Sequence, residues 1–196
     1  MNLERRSLLT LAALFALAPA CRKKPELEKL GSLGGFALTD QEGRAYGSSE
    51  LRGQIWVASF FFTRCPTVCP RLIAALRDLQ QKAKASSTAL RIVSFSVDAE
   101  HDTPAVLKEY AKQQQADLGS WSFLTGNAEL IQKTAVEGFK LATEGRADAG
   151  SDHFGILHGS HLVLVDPELT LRGYYRSEEP EARAKLLEDA RALAEP

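Results

Sequence analysis

The chain has 196 residues, 44% of them hydrophobic and 25% charged, with a formal net charge of -1 at pH 7. That is one domain of ordinary size with enough apolar residues for a substantial core, plus a short leader. A charge balance this close to zero supplies no basic surface for phosphate backbones, so nucleic acid is not expected among its partners.

Arg5 and Arg6, the apolar stretch 8–18 and the small residues before Cys21 give residues 1–20 the layout of an export signal. The stretch is too short to span a bilayer comfortably. Leu17, Ala18, Pro19, Ala20 and Cys21 resemble a lipobox, with Cys21 as lipid acceptor and mature N-terminus. Plain cleavage, or retention as a signal anchor, is the alternative. Arg5 and Arg6 suit a twin-arginine signal as well as an ordinary n-region. The expected location is the cell envelope, facing the periplasm and tethered to the membrane. Residues 21–34 are polar and contain Pro25, Gly31 and Gly34, and they read as a flexible, solvated tether, with contact of its basic start to anionic headgroups as the alternative. The domain proper is expected over 35–196.

Residues 36–46 have the pattern of a hairpin turning at 40–43. The run 56–62, rich in aromatic and β-branched side chains, reads as a strand buried on both faces at the centre of an α/β sheet. A helix to about Lys84 follows, with Leu72, Leu76 and Leu79 at helical spacing. At the junction stand Cys65, Pro66, Thr67, Val68, Cys69 and Pro70. Pro66 suits a first helical turn, so the helix is expected to begin there. Cysteines four apart on a helix share a face at a separation a disulfide can span, so this pair can bind a metal or close a bridge. The helix N-terminus favours thiolate, the form both roles require. A structural disulfide, or two inert thiols, is the plainer alternative.

Residues 90–97 form the next expected strand. Asp102, Thr103 and Pro104 open a second helix, with an N-cap residue directly before a first-turn proline. A short strand at 121–124 and a helix at 127–137 precede a long irregular stretch, 138–157, of a length that usually marks function or disorder. A strand at 161–165 ends at Asp166 and Pro167, its hairpin partner spans 171–175, and an amphipathic helix occupies 179–194. Tyr174, Tyr175 and Arg176 are read as the end of that strand, and His101 and His153 as surface residues, with approach of His153 to a bound metal as the alternative. Asp98 and Asp102 are read as loop-shaping and helix-capping groups. The order β, α, β, α, β-hairpin, α, with extra N-terminal strands and a C-terminal helix, is that of an α/β, thioredoxin-like fold.

Three runs carry a family resemblance: FTRCPTVCP at 62–70, SVDAEHDTP at 96–104 and HGSHLVLVDP at 158–167. In type, order and spacing they resemble the Sco/SenC family of copper proteins over roughly residues 35–195. The resemblance implies a copper-binding metallochaperone rather than an enzyme turning over a small substrate. In that family two cysteines and a distant histidine hold one copper ion, Cu(I) or Cu(II), and assist copper insertion into the dinuclear centre of cytochrome c oxidase. The implied partners are the copper-binding subunit of that oxidase and other copper carriers or thiol reductants. Position by position, the resemblance implies Cys65 and Cys69 as sulfur ligands and His158 as the nitrogen ligand, with His161 as the neighbouring alternative. Leu157 stands where the family often has an acidic residue, and Gly159 where serine or threonine is usual.

The donor chemistry agrees. Thiolates suit Cu(I) and imidazole accepts Cu(II) as well, so a mixed set holds both states. Zinc would accept the same set with an open fourth position. Cleavage before Cys21 removes Met1, the only methionine, and with it any thioether ligand of a methionine-rich carrier. With Cys21 lipidated, Cys65 and Cys69 are the only thiols left in a compartment that favours disulfides, so a metal role needs a reductant. The rival reading is a thiol-disulfide oxidoreductase exchanging with partner cysteines through the same pair. A peroxidase is not supported, because the proline and threonine expected around a peroxidatic cysteine are not at their usual spacing.

Overall fold

In the computed structural model, which describes residues 27–141 and 160–194, the apolar runs become strands of one eight-stranded sheet. In chain order the elements are β1 (Gly31–Ser32), β2 (Ala37–Asp40), β3 (Ala45–Gly47), β4 (Trp56–Phe61), α1 (Val68–Ala85), β5 (Arg91–Ser96) and α2 (Pro104–Gln113). There follow β6 (Trp121–Thr125), α3 (Ala128–Lys133), β7 (His161–Val165), β8 (Thr170–Arg176) and α4 (Pro180–Ala194). The strand order is β1-β8-β7-β4-β5-β6-β2-β3. β4, β5 and β6 run parallel, and every other pairing is antiparallel. This is the expected thioredoxin-like α/β arrangement, with β1 to β3 added at the amino end and α4 closing the chain.

β4 is buried at all of its positions because both faces of the sheet are covered. Val57 and Phe61 point into one core with Leu72, Ile73, Leu76 and Leu79 of α1, Leu107 of α2 and Leu186 of α4. Trp56, Ala58 and Phe60 point into the other with Val93 and Phe95 of β5 and Ile131 of α3. Phe139 seals that second layer by meeting Trp56, Phe60 and Phe95 edge-on at 5.9, 5.4 and 5.6 Å. Such pairs add about 0.5–1.5 kcal/mol each beyond the area they bury.

The hairpins owe their register to aspartates. Asp40 accepts from the backbone N–H of Glu42 and Arg44, and Gly43 takes the positive φ of 76° that the turn needs. Asp166 does the same for Glu168 and Thr170 at the β7–β8 turn.

Three expectations need correction. α1 begins at Val68, two residues after Pro66, so Cys65 lies in the turn before the helix and only Cys69 lies on it. The second proline is the reason. A helix starting at Pro66 would put Pro70 a full turn inside, where its ring meets the carbonyl four residues back and its missing N–H leaves that carbonyl unpaired. A start at Val68 keeps Pro70 in the first turn, where no donor is needed. Second, the segment read as tether is engaged before residue 35. Leu30 N–H donates to Leu171 O, β1 pairs with β8, and Leu33 is buried because it fills the layer beside Phe36. Third, the helix expected at 127–137 is regular only to Lys133 and then widens into a π turn, Thr134–Gly138. The residues from 142 to 157 of the long irregular stretch, and His158 and Cys21, lie outside the described residues. Among the described residues no helix is long and apolar enough to cross a membrane.

Candidate metal centre

The parallel strands β4 and β5 end side by side, Phe61 opposite Ser96, and Val97 N–H donates to Phe61 O just beyond. The loops that leave these carboxyl ends, 62–67 and 97–103, therefore meet at one edge of the sheet, where open α/β folds commonly place their sites.

Cys65 and Cys69 are brought together there. Cys65 N–H closes a tight turn onto Phe62 O at 3.3 Å. The backbone N–H of Cys69, in the first turn of α1, donates to Cys65 Sγ at 3.4 Å. Both cysteines are free and buried, Cys65 6% and Cys69 1% exposed. Their acidities diverge. Burial works against a thiolate at Cys65, but bonds from the backbone of Cys69, Thr67 and Val68 and from the Cys69 side chain outweigh it, and its pKa falls to about 7. Cys69 is pushed up to about 12, first by burial and then by the adjoining Cys65 sulfur and the charge of Asp102, against a bond from the Phe62 backbone. The pair thus offers one sulfur that is half ionised at neutral pH and one that stays a thiol until a metal or a reaction partner displaces its proton.

Iodoacetamide should therefore alkylate Cys65 of the reduced, metal-free protein with a half-maximal rate near pH 7 and leave Cys69 unmodified up to about pH 9. Peptide mapping by mass spectrometry reads this directly. Equal labelling of both cysteines with one alkaline transition would contradict the asymmetry.

The loop after β5 supports the loop after β4. Arg64 donates through Nε and Nη2 to Asp98 Oδ2 at 3.0 and 2.6 Å. Asp102, fully buried, accepts from the backbone N–H of Thr63 at 3.0 Å and from the hydroxyls of Thr63 and Ser96, and it lies 2.9 Å from His101 Nδ1. Asp102 does not cap α2; Thr103 does, accepting from Val106 N–H, because it stands directly before Pro104. Asp98, His101 and Asp102 converge closely enough to suggest a cation site. Asp98 Oδ2 is already engaged by Arg64, and both oxygens of Asp102 by Thr63 and Ser96, so the trio acts as scaffold for the cysteine loop. Tyr110 completes the wall. It stacks on Phe61 at 5.6 Å, and its hydroxyl is pushed far up, by burial first and then by the charges of Cys69, Asp102 and Cys65.

His161 is half-buried at the start of β7, opposite Arg176. The antiparallel register of β7 on β4, Ala58 opposite Val163, sets that start at the carboxyl end of β4, the same end as the cysteine loop. His101 sits half-exposed at the rim, as expected of a surface residue, but bound to Asp102. Thr63, Ser96 and Tyr110 were not singled out from sequence. Thr63 lies inside the cysteine motif, but its partner is 39 residues away, and neither spacing nor periodicity announces that contact.

Two thiols of unequal acidity at a helix start suit a soft metal. Residues 25–195 match the family described as SCO1/SenC. A SCO1/SenC family lipoprotein from Bacillus anthracis str. Ames is similar in structure, with TM-score 0.75 and 31% identity over 84% of this chain and 96% of that one. BsSco, described as a member of the Sco family of cytochrome c oxidase assembly proteins with a disulfide switch, gives TM-score 0.74 and 31% identity over 86% and 97%. ScoI of Bradyrhizobium japonicum, solved with copper bound, gives TM-score 0.59 and 26% identity over 79% and 97%.

Proposed function

The chain belongs to the SCO1/SenC family, and we propose that it binds copper and assists copper insertion into the dinuclear centre of cytochrome c oxidase. The observation that carries this reading is the buried pair Cys65 and Cys69, held at the carboxyl ends of β4 and β5 with one sulfur ionising near pH 7. His158 is the proposed third ligand. The start of β7 at the cysteine edge supports it, because the chain reaches that edge three residues after position 158. His161, already within β7 and facing Arg176, is the less suitable donor. The copper-bound relative supports copper as the cargo. One ion per chain, as Cu(I) or Cu(II), fits two thiolates and an imidazole. Each thiol must lose its proton to bind, so loading releases protons and is favoured as pH rises.

A second reading shares the site. The acidity split between Cys65 and Cys69 is also what thiol-disulfide exchange needs: a readily ionised nucleophile and a resolving thiol that keeps its proton. The disulfide switch of BsSco supports it. The two roles are compatible, because closing the bridge removes both sulfur ligands and so couples metal release to redox state. We place the protein in the cell envelope, tethered through lipid on Cys21. The lipobox-like run before that residue and the lipoprotein relative support this placement.

The test is an anaerobic copper titration of the reduced chain from Arg22 onward, followed by absorption spectroscopy and metal analysis. One tightly held copper per chain, with a thiolate-to-Cu(II) charge-transfer band and no displacement by equimolar zinc, is expected. Loose binding without the band would leave the exchange reading in its place.

A further inference from the structure

Asp102 differs from the other buried aspartates that organise loops. Asp40 and Asp166 bind backbone donors two and four residues on, within their own hairpins. Asp102 instead gathers donors from the ends of two strands. Oδ2 accepts from Thr63 N–H and the Ser96 hydroxyl, while Oδ1 accepts from the Thr63 hydroxyl and faces His101 Nδ1. A carboxylate only accepts, so all of its capacity goes to fixing these groups. Thr63 is held by backbone and side chain at once. It leads into the turn in which Cys65 N–H returns to Phe62 O, so Asp102 anchors the start of that turn, beside the more exposed Arg64–Asp98 pair. Cys69 is fixed independently, buried in the first turn of α1. What holds Thr63 therefore sets where Cys65 stands relative to Cys69. In this dithiol state Cys65 Sγ receives the Cys69 amide. A disulfide makes its own demands on Cα separation and dihedral, and the turn carrying Cys65 is the part left to meet them.

We propose that Asp102 is a positioning residue for the cysteine pair: through Thr63 it holds the 62–65 turn in its open setting and biases the balance from disulfide toward dithiol. The inference rests on the reading that Cys65 and Cys69 open and close reversibly. With glutathione disulfide as oxidant, the Cys65 thiolate attacks one sulfur and expels glutathione thiolate. Cys69, giving up its proton, then displaces the second glutathione from Cys65. Two electrons leave the protein, the Sγ–Sγ bond forms, and the two glutathione thiolates are protonated from solvent.

The deciding variant is Thr63→Val, which cuts one arm of the tie and leaves the Asp102 charge in place. The whole chain, metal-free, is equilibrated in a fixed glutathione buffer, and the dithiol-to-disulfide ratio is read by alkylation and mass spectrometry. Thermal unfolding is measured on each form separately. The expected result is a dithiol share at least about threefold lower than wild type, with the dithiol form losing more Tm than the disulfide form, and recovery in Thr63→Ser. Ser96→Ala removes a donor to the same carboxylate and the acceptor for Asp98 N–H, neither of them a bond to residues 62–65, and it should destabilise both forms alike. An unchanged ratio, a higher dithiol share, or equal Tm losses in Thr63→Val would overturn the proposal and leave Asp102 as fold support only. Because no metal is present, this result stands apart from the copper titration. A wild-type protein that fails to bind copper would defeat the proposed delivery role and leave the glutathione equilibrium still decisive for Asp102.

Discussion

Cys69→Ser is expected to abolish tight copper binding while leaving the fold intact. The side chain is 1% exposed and packs among Leu72, Ile73 and the other residues of the α1 layer, so an oxygen in place of sulfur changes volume little. The hydroxyl is harder and does not ionise at neutral pH, so a soft thiolate ligand is lost outright. An affinity loss of roughly a thousandfold or more, about 4 kcal/mol, is the expected scale. The charge-transfer band should vanish with it. Burying a hydroxyl among apolar groups costs the fold ~1–3 kcal/mol, softened by the Phe62 backbone bond that the sulfur receives. Circular dichroism should show the wild-type spectrum with a modestly lower Tm. Wild-type copper content in this variant would remove Cys69 from the ligand set.

Why this pair, and little of what surrounds it, can be read from the sequence has a physical explanation. Cys65 and Cys69 declare themselves because chemistry and spacing are both local, and β4, β7 and the Asp40 and Asp166 turns do so because periodicity and turn residues are local as well. The start of α1 is subtler. It depends on two prolines competing for one first turn, and Pro70 prevails because its conflict lies inside the helix and that of Pro66 does not. Residues 30–33 look like linker because β1 is two residues long and draws its stability from β8, at the other end of the chain. Phe139 looks like part of a loop, yet it closes the second core layer by contacts with β4 and β5. The Asp102 tie is of the same kind. Thr63, Ser96 and Asp102 fall in motifs that can be noticed singly, but only the parallel pairing of β4 with β5 reveals that they meet at one carboxylate.

His158→Ala should separate the two chemistries that the cysteines can perform. Thiol-disulfide exchange needs a nucleophilic sulfur and a resolving thiol, and both are supplied by Cys65 and Cys69 without a third group. A mononuclear copper site that holds Cu(II) as well as Cu(I) needs the imidazole in addition. The expected result is a copper affinity lower by roughly a hundredfold or more, about 2.7 kcal/mol, and a charge-transfer band lost or shifted. Reduction of a model disulfide should stay within about twofold of wild type. His161→Ala is the matched control. His161 begins β7 opposite Arg176 and acts on Glu178, so its loss should touch the strand end and leave copper affinity nearly unchanged. If His161→Ala is the variant that loses copper, the nitrogen ligand is three residues further along the chain. If neither histidine matters, copper is held without either of them, and the site is better understood as an exchange centre that metal happens to occupy.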